Sequence, residues 1–219
     1  MHDEGLKNVR YLHLDIEDMS SIKSAVEFIS KEHGKLDVLV NNAATKAFTV
    51  ESFSEQAAAI MRVNYFATLD VSNEFFPLLK NGRIINVASF VGRLSQVSKE
   101  HQTKLSSENL KIEELSAFVN DFIEKTKTNS HEAAGYNNSA YEMSKLALIA
   151  LTNIHSREHA DDNIAVVSMC PGWCKTEMGG YDAPETAAFG GDLINFLVLK
   201  DNIMELNGKF IRDKAVAGW

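Results

Sequence analysis

The stretch Tyr141-Glu142-Met143-Ser144-Lys145 opens residues 139–159, whose pattern predicts one long helix. Tyr141 and Lys145 are four positions apart, so they share one face of that helix. A phenol titrates near pH ~10, and a nearby lysine cation is expected to lower that pKa towards the range useful for proton transfer at neutral pH. Taken alone, this spacing occurs often by chance, and two ordinary helix residues are the commoner interpretation. The rest of the sequence decides between the two interpretations.

Composition excludes several classes of protein. The chain has 219 residues, 45% of them hydrophobic, which is enough for one sizeable core. Its formal net charge is −8 and it has no basic run, so nucleic acid is not an expected partner. No apolar run approaches the ~20 residues of a membrane span, and the polar, acidic start, residues 1–5, is unlike a secretory signal. Cys170 and Cys174 are weak evidence for a metal, so we predict no metal site and a reduced, cytoplasmic chain.

Short β-type runs alternate with helical patterns along the chain, which predicts a parallel α/β sheet covered by helices. The predicted strands are 9–14, 36–40, 83–87, 164–169 and 208–211. One predicted helix begins near Ile22 and ends at Gly34. The others cover residues 54–79, 139–159 and 184–199. The run at 36–40 is almost wholly apolar and suits a strand that is buried on both faces.

A polar stretch, roughly residues 93–136, interrupts this alternation. Inside it, apolar residues at helical spacing predict an amphipathic helix of about four turns. These residues are Ile112, Leu115, Val119 and Phe122. The helix is expected to cover an apolar surface of the sheet-forming part, within one Rossmann-like domain spanning residues 1–219.

Small or polar residues follow four of the predicted strands. They are Asp15, the group 41–43, Ser89 and the group 171–173. In an open parallel sheet, ligands bind beyond the carboxyl ends of the strands. Each group alone is ordinary turn chemistry, but four of them, together with Tyr141 and Lys145, predict one binding crevice.

With these residues in place, the chain resembles the short-chain dehydrogenase/reductase superfamily, and most of all its carbonyl reductases. The resemblance covers nearly the whole chain, and only residues 217–219 match loosely. The matching segments are 14–16, 36–43, 61–64, 83–89, 141–145 and 171–176. The fold that this resemblance implies is a doubly wound parallel sheet of the Rossmann type.

The resemblance also implies roles for four catalytic residues. Tyr141 would be the general acid that protonates the carbonyl oxygen, and Lys145 would lower the pKa of Tyr141 and hold the nicotinamide ribose. Ser89 would hydrogen-bond the substrate oxygen where negative charge develops. Asn64 would hold a water that relays protons to Lys145, although an asparagine that bonds the backbone is an equally good interpretation.

The implied cofactor is NADPH, which supplies the hydride. Its preference over NADH rests on the resemblance alone. Besides Tyr141 and Lys145, the residues expected to contact it are Asp15 and Ile16 at the adenine, Asn42 at the ribose region, and Cys174, Lys175 and Thr176 at the nicotinamide end.

Ser89, Val91 and Trp173 are expected to border a hydrophobic aldehyde, ketone or quinone. Two of the neighbouring side chains have a second interpretation. Trp173 could equally pack in the core, and Cys174 is either a reactive thiol or, more commonly, a small buried hydrophobe.

Two features depart from the family pattern. Ala44 stands where the family usually has glycine, which costs about 1 kcal/mol if the position needs a positive φ. The sequence also lacks the Gly-rich turn and helix that bind pyrophosphate at the start of the family's sheet, so the fold is expected to be truncated at its N-terminus and to bind cofactor weakly. In the family's strand order, the run at 9–14 would then lie about 14 Å from its nearest partner.

Two functions from different classes follow. The first is NADPH-dependent reduction of small carbonyl compounds to alcohols, by a monomer whose inserted helix covers the surface through which relatives pair. The alternative is a non-catalytic relative that has lost cofactor binding and acts as a binding protein.

Overall fold

A five-stranded sheet forms the centre of the computed structural model, which describes residues 8–46 and 52–219. The polar start of the chain, residues 1–5, lies outside this range. The strands follow one another across the sheet in chain order. They are β1 Val38–Asn41, β2 Arg83–Val87, β3 Ala165–Cys170, β4 Phe210–Arg212 and β5 Ala215–Ala217. Strands β1 to β4 are parallel and β5 is antiparallel to β4, so the predicted parallel α/β sheet is confirmed and carries one antiparallel edge.

Helices cover both faces of this sheet, as in a doubly wound fold. The α-helices are α1 Met19–His33, α2 Phe53–Met61, α3 Thr68–Phe75, α4 Lys99–Leu105, α5 Ile112–Lys127, α6 Ala140–Glu158 and α7 Ala187–Val198. Alternate strand residues point to opposite faces. Ile84 and Val166 therefore pack in the cluster that includes residues of α1 and α3, whereas Ile85 and Val167 pack in the cluster that includes residues of α7. Among the described residues, no helix combines the length and the apolar character that a membrane crossing requires.

The limits of α1 follow the signals in its sequence. The Asp18 side chain accepts a hydrogen bond from the Ser20 backbone N–H at 2.9 Å, which caps the first turn. Gly34 ends the helix with a φ of +73°, and its N–H donates to the Ser30 carbonyl. This left-handed termination is why the helix stops where a glycine stands.

The prediction of a strand at residues 9–14 is wrong. This segment precedes α1 without strand pairing, and its residue Tyr11 is 77% exposed. A strand needs a neighbour to satisfy its N–H and C=O groups, and none of the described residues offers one here. Because none of the described residues forms a strand on its other side, β1 is an edge strand. Its residues are half-buried rather than buried on both faces.

The single helix predicted for residues 54–79 is one helical path with an irregular centre. A π-helical segment, Arg62–Ala67, joins α2 to α3, and a short 3₁₀ turn, Phe76–Leu78, ends it. Such π segments inside α-helices are frequent at functional sites. The segment contains Asn64, which is 1% exposed.

Helix α5 is the amphipathic helix that the sequence predicts inside the interrupting stretch. Its residues Leu115, Val119 and Phe122 are at most 1% exposed and belong to the same apolar cluster as residues of α2 and α6. A T-shaped contact between Phe122 and the His131 ring adds to this packing. The expectation that this helix covers an apolar surface is therefore confirmed, and the surface belongs to α2 and α6.

His155, near the end of α6, is a buried histidine. It is 0% exposed, and neither ring nitrogen has a hydrogen-bond partner among the residues that the structure describes. It lies edge-on to the Phe76 ring, which stacks on His159. Burial, followed by repulsion from His159, lowers the pKa of His155 to about 3.

This histidine predicts a pH-dependent loss of stability. Between about pH 3 and pH 6.5 the unfolded chain binds one proton more than the folded chain at this position, so stability falls as the pH falls below 6.5. The contribution is about 1.4 kcal/mol per pH unit. In His155→Leu the decline in the free energy of unfolding should be shallower by about this slope, measured by urea denaturation from pH 7 to pH 5. Parallel curves for the two proteins would contradict the assignment.

Candidate active site

The carboxyl ends of three adjacent strands form the site. Because β1, β2 and β3 are parallel neighbours, the residues that follow them meet at one edge of the sheet. The predicted strand-end groups Asn42, Ser89 and Pro171–Trp173 therefore lie at that edge. Asp15 does not follow a strand, since residues 9–14 form none, and it lies exposed just before α1.

Tyr141 and Lys145 lie in the first turns of α6, as their spacing predicts. The Ser139 hydroxyl caps this helix by accepting from the Glu142 N–H at 3.3 Å. The Lys145 Nζ atom lies 5.6 Å from the centre of the Tyr141 ring. Lys145 is 3% exposed and donates a hydrogen bond to the Val87 carbonyl at the end of β2, at 2.8 Å. Helix α6 thus holds a buried cation and a phenol side by side beneath the strand ends.

The pKa values of Tyr141 and Lys145 do not follow the expectation that Lys145 lowers the pKa of Tyr141. Burial, followed by an electrostatic contribution from Cys170, raises the pKa of Tyr141 to about 12. Burial lowers the pKa of Lys145 to about 8. The expected lowering is therefore wrong for the chain alone, because desolvation dominates and Lys145 bonds to Val87 rather than to the phenol oxygen.

Asn64 holds the turn after β1 against α6. Its amide nitrogen donates to the Thr45 carbonyl at 2.8 Å and to the Ser144 hydroxyl at 2.9 Å, and its amide oxygen accepts from the Thr45 N–H at 2.8 Å. The Ser144 hydroxyl donates in turn to the Tyr141 carbonyl at 2.7 Å. Of the two interpretations of Asn64, the structure shows the backbone-bonding one for its side chain.

Gly92 sets the distance between the Ser89 turn and α6. A Cβ atom at Gly92 would lie 2.6 Å from the Lys145 backbone carbon, so only glycine allows this approach. The Gly92 N–H donates to the Ser89 carbonyl at 3.1 Å, which closes the turn. Sequence reasoning missed this glycine, and a lone glycine after a strand gives no signal of a helix packed against it.

A buried polar network also escaped prediction. The Asn41 amide nitrogen donates to the Asn86 side-chain oxygen at 2.9 Å, and Asn86 donates to the Thr152 hydroxyl at 2.9 Å. The bonds link β1 to β2 and β2 to α6. Asn86 is 0% exposed, and its position within an apolar strand was the available signal.

The surroundings of Lys145 fit the ribose of a nicotinamide cofactor. An ammonium group has three N–H donors, and among the described residues Lys145 uses one, to Val87. A buried cation with unused donors is costly without further acceptors, and ribose hydroxyls are suitable ones. Asn42 and the loop after β3 follow the strands on either side of β2, whose end Lys145 contacts, but the Gly-rich pyrophosphate turn has no counterpart in the described residues. Asp15 is exposed, and Ile16 packs partly against the apolar cluster of α1.

The loop after β3 carries the remaining predicted residues. Trp173 is 51% exposed and donates from its indole nitrogen to the Gly179 carbonyl at 2.8 Å, so it is not a core residue. The Cys174 thiol is half-buried, donates to the Pro171 carbonyl, and has a pKa raised mainly by burial. Lys175 and Thr176 are exposed.

Two further predictions concern the edges of the site. Val91 is half-buried in the turn after Ser89. Ala44 has no positive φ, so the expected cost of alanine at that position does not arise.

No cluster of three or more potential metal ligands occurs among the described residues.

Comparisons with known proteins agree with this geometry. The profile of the short chain dehydrogenase family matches residues 2–101 and 126–186, and the gap between them contains most of α5. The chain is 39% identical to the NADPH carbonyl reductase 1 of Bos taurus over 99% of its own length and 81% of the bovine protein. The human protein of the same name is 38% identical over the same shares of the two chains.

Solved structures show the same fold. Salutaridine reductase from Papaver somniferum superposes with a TM-score of 0.88 and 26% identity, over 97% of this chain and 84% of that one. The NADPH-bound carbonyl reductase from chicken fatty liver has a TM-score of 0.70 over 100% of this chain and 80% of that one, and its identity of 22% bears on the fold alone. Together with the family match and the Tyr141–Lys145 arrangement, these likenesses establish that the chain belongs to the short-chain dehydrogenase family.

Proposed function

We propose that this protein reduces aldehydes, ketones or quinones to the corresponding alcohols, with NADPH as the hydride donor. The observation that carries the proposal is the placement of Tyr141 and the buried Lys145 at the carboxyl edge of the sheet, beside the Ser89 turn. Support comes from relatives named as NADPH carbonyl reductases that are 38–39% identical over 99% of the chain. The choice of NADPH over NADH rests on those names.

Tyr141 would donate the proton that the carbonyl oxygen acquires. A pKa near 12 keeps the phenol protonated at neutral pH, which is the state that a general acid requires. Donation to a developing alkoxide is favourable even so, because an alkoxide is about as basic as hydroxide and is therefore a much stronger base than the Tyr141 phenolate. The raised pKa keeps Tyr141 in the protonated state from which reduction starts, whereas the reverse oxidation would have to start from the phenolate, which is scarce at neutral pH.

Other residues would orient the reactants. Ser89 would donate a hydrogen bond to the substrate oxygen as charge develops there, and Val91 and Trp173 would border the substrate. Lys145 would bind the nicotinamide ribose. Asn64 would position the Tyr141 helix, and the proton-relaying water expected beside Asn64 remains a prediction.

The remaining cofactor contacts are proposals from the resemblance. They are Asp15 and Ile16 at the adenine, Asn42 at the ribose region, and Cys174, Lys175 and Thr176 near the nicotinamide. We further propose that residues 1–219 act as one domain, in the cytoplasm.

Two measurements test this function. Titration of NADPH fluorescence shows whether the chain binds the cofactor, and carbonyl-dependent loss of NADPH absorbance with a quinone or aromatic aldehyde shows turnover. Absence of binding to both NADPH and NADH would overturn the proposal and favour the non-catalytic alternative, which has lost cofactor binding and which none of the relatives reported above supports by name. Binding of the cofactor without turnover of any carbonyl compound would overturn the proposed reaction.

The packing of α5 predicts a monomer. This helix buries Leu115 and Phe122 against α2 and α6, so the apolar surface of those two helices is not available to a second subunit. Sedimentation over a wide concentration range should show one species of monomer mass. A discrete dimer or tetramer that persists on dilution would show that the covering helix does not prevent pairing.

A further inference from the structure

A small cleft beside Ser89 contains two arginines and no acidic side chain. Its volume is about 220 Å³. The residues that line it are Ser89, Phe90, Gly92, Arg93, Phe210, Arg212, Ala217, Gly218 and Trp219. The formal net charge of the whole chain is −8, so a cleft whose charged side chains are all cationic is a local exception.

The two guanidinium groups are arranged about one aromatic ring. The Arg212 Cζ atom lies 5.1 Å and the Arg93 Cζ atom 5.7 Å from the centre of the Phe90 ring. Such cation–π contacts hold each planar group in place. The Arg93 Nε atom also donates to the Phe90 carbonyl at 3.0 Å, and the Arg212 Nε atom lies 3.3 Å from the Asp213 carboxylate.

The outer nitrogens of both guanidinium groups remain available. Neither Arg93 nor Arg212 makes a hydrogen bond through these nitrogens to any described residue. A guanidinium fork offers two parallel N–H donors, whose geometry matches a carboxylate. The rings of Phe90 and Trp219 provide apolar surface for the atoms that carry such a carboxylate.

From this arrangement we infer that the cleft binds the carboxylate end of the carbonyl substrate, so that the protein prefers aromatic or apolar aldehydes and ketones that carry a remote carboxylate. This inference rests on the proposed function. Ser89 lines the cleft, whereas Tyr141 does not, so the cleft extends from the reacting oxygen away from the proton donor. Binding energy gained at such a remote point orients the carbonyl group for reaction.

A pair of matched substrates tests the preference. 4-Formylbenzoate and 4-formylbenzamide have nearly the same shape and differ by one negative charge. The ratio of their kcat/KM values should favour the acid by about tenfold, mainly through KM, and should fall towards unity at high salt. In Arg212→Gln or Arg93→Gln the ratio should fall severalfold, because kcat/KM for the acid falls much more than kcat/KM for the amide.

Lys214→Gln is the matched control. It removes the same charge two positions from Arg212, but Lys214 pairs with Asp192 and does not line the cleft. The ratio should stay unchanged in this variant. A ratio near unity in the wild-type protein, or an equal fall in Lys214→Gln, would overturn the inference.

Calorimetry separates this inference from the proposed function. 4-(Hydroxymethyl)benzoate should bind more tightly than 4-(hydroxymethyl)benzamide to the wild-type protein saturated with NADPH, and Arg212→Gln should abolish the difference. Should neither aldehyde be reduced, the proposed function fails while this binding difference still supports the cleft. Equal binding of the two alcohols would refute the cleft whether or not the protein turns over.

Discussion

Replacing Tyr141 by phenylalanine should lower turnover of any carbonyl substrate by at least ~10²-fold, the usual scale for the loss of a general acid. The ring and its packing remain, and only the hydroxyl group is lost. Since the phenol is protonated at neutral pH, it is in the state that the proposed proton donor requires. The loss should appear in kcat, because the proton is transferred in the chemical step rather than on binding.

The pH dependence of kcat/KM gives a second test of the role of Tyr141. With a pKa of about 12, Tyr141 stays protonated across the neutral range, so its titration should not limit reduction below about pH 10. The buried Lys145, with a pKa of about 8, loses its charge first as the pH rises. Any alkaline fall in kcat/KM near pH 8 should therefore belong to Lys145 and persist in the residual activity of Tyr141→Phe.

Tyr65→Phe is the control for this variant. Tyr65 is 0% exposed, lies next to Asn64 and bonds Ser116 through its hydroxyl, so the change removes the same group from a neighbouring buried site. It should cost stability and leave turnover per folded molecule unchanged. Near-wild-type turnover in Tyr141→Phe would refute the assignment of the proton donor.

Most of the sheet could be predicted because local patterns and long-range packing agree there. The strand predicted at 83–87 is observed with the same limits, and helix 139–159 is observed as Ala140–Glu158. Each begins after a clear sequence signal, a glycine or a capping serine, and most residues of each are buried. Agreement of pattern, cap and burial is what makes a local prediction reliable.

The failures occur where a local pattern depends on a distant partner. Residues 9–14 have the composition of a strand, but β propensity reflects packing against neighbours, and the described residues provide none. The π segment at Arg62–Ala67 is also invisible locally. Its residues are ordinary helix formers, and the register shift accompanies the bonds that Asn64 makes to Thr45 and Ser144.

At the candidate site, sequence reasoning predicted the relative placement of Tyr141 and Lys145 better than it predicted their environment. The spacing of Tyr141 and Lys145 places them on one helix face, and that inference needs only helix geometry. The direction of the pKa shift of Tyr141 depends instead on how deeply the fold buries the ring, which no spacing encodes. The Gly92 contact with α6 and the arginines of the cleft likewise depend on segments far apart in the chain.

Lys145 is the residue at which function and stability are expected to oppose each other most strongly. Lys145→Met keeps a long unbranched side chain in the same space and removes the cation. Loss of the group that would bind the ribose and supply positive charge beside Tyr141 should lower kcat/KM by ~10²-fold or more. The same change removes a charge that burial disfavours, so the free energy of unfolding at pH 7 should rise by roughly 1–3 kcal/mol. The loss of the hydrogen bond to the Val87 carbonyl should reduce this gain.

The pH dependence of that gain identifies its cause. The pKa of Lys145 is about 8 in the folded chain and near 10.5 in the unfolded chain, so between these values the unfolded chain holds the extra proton and wild-type stability rises with pH. The advantage of Lys145→Met should therefore be full below pH 8 and shrink as the pH rises towards 10.5, measured by urea denaturation. A variant less stable than the wild type at pH 7, or an advantage that does not change with pH, would mean that the bond to Val87 outweighs desolvation and that the buried cation stabilises the fold.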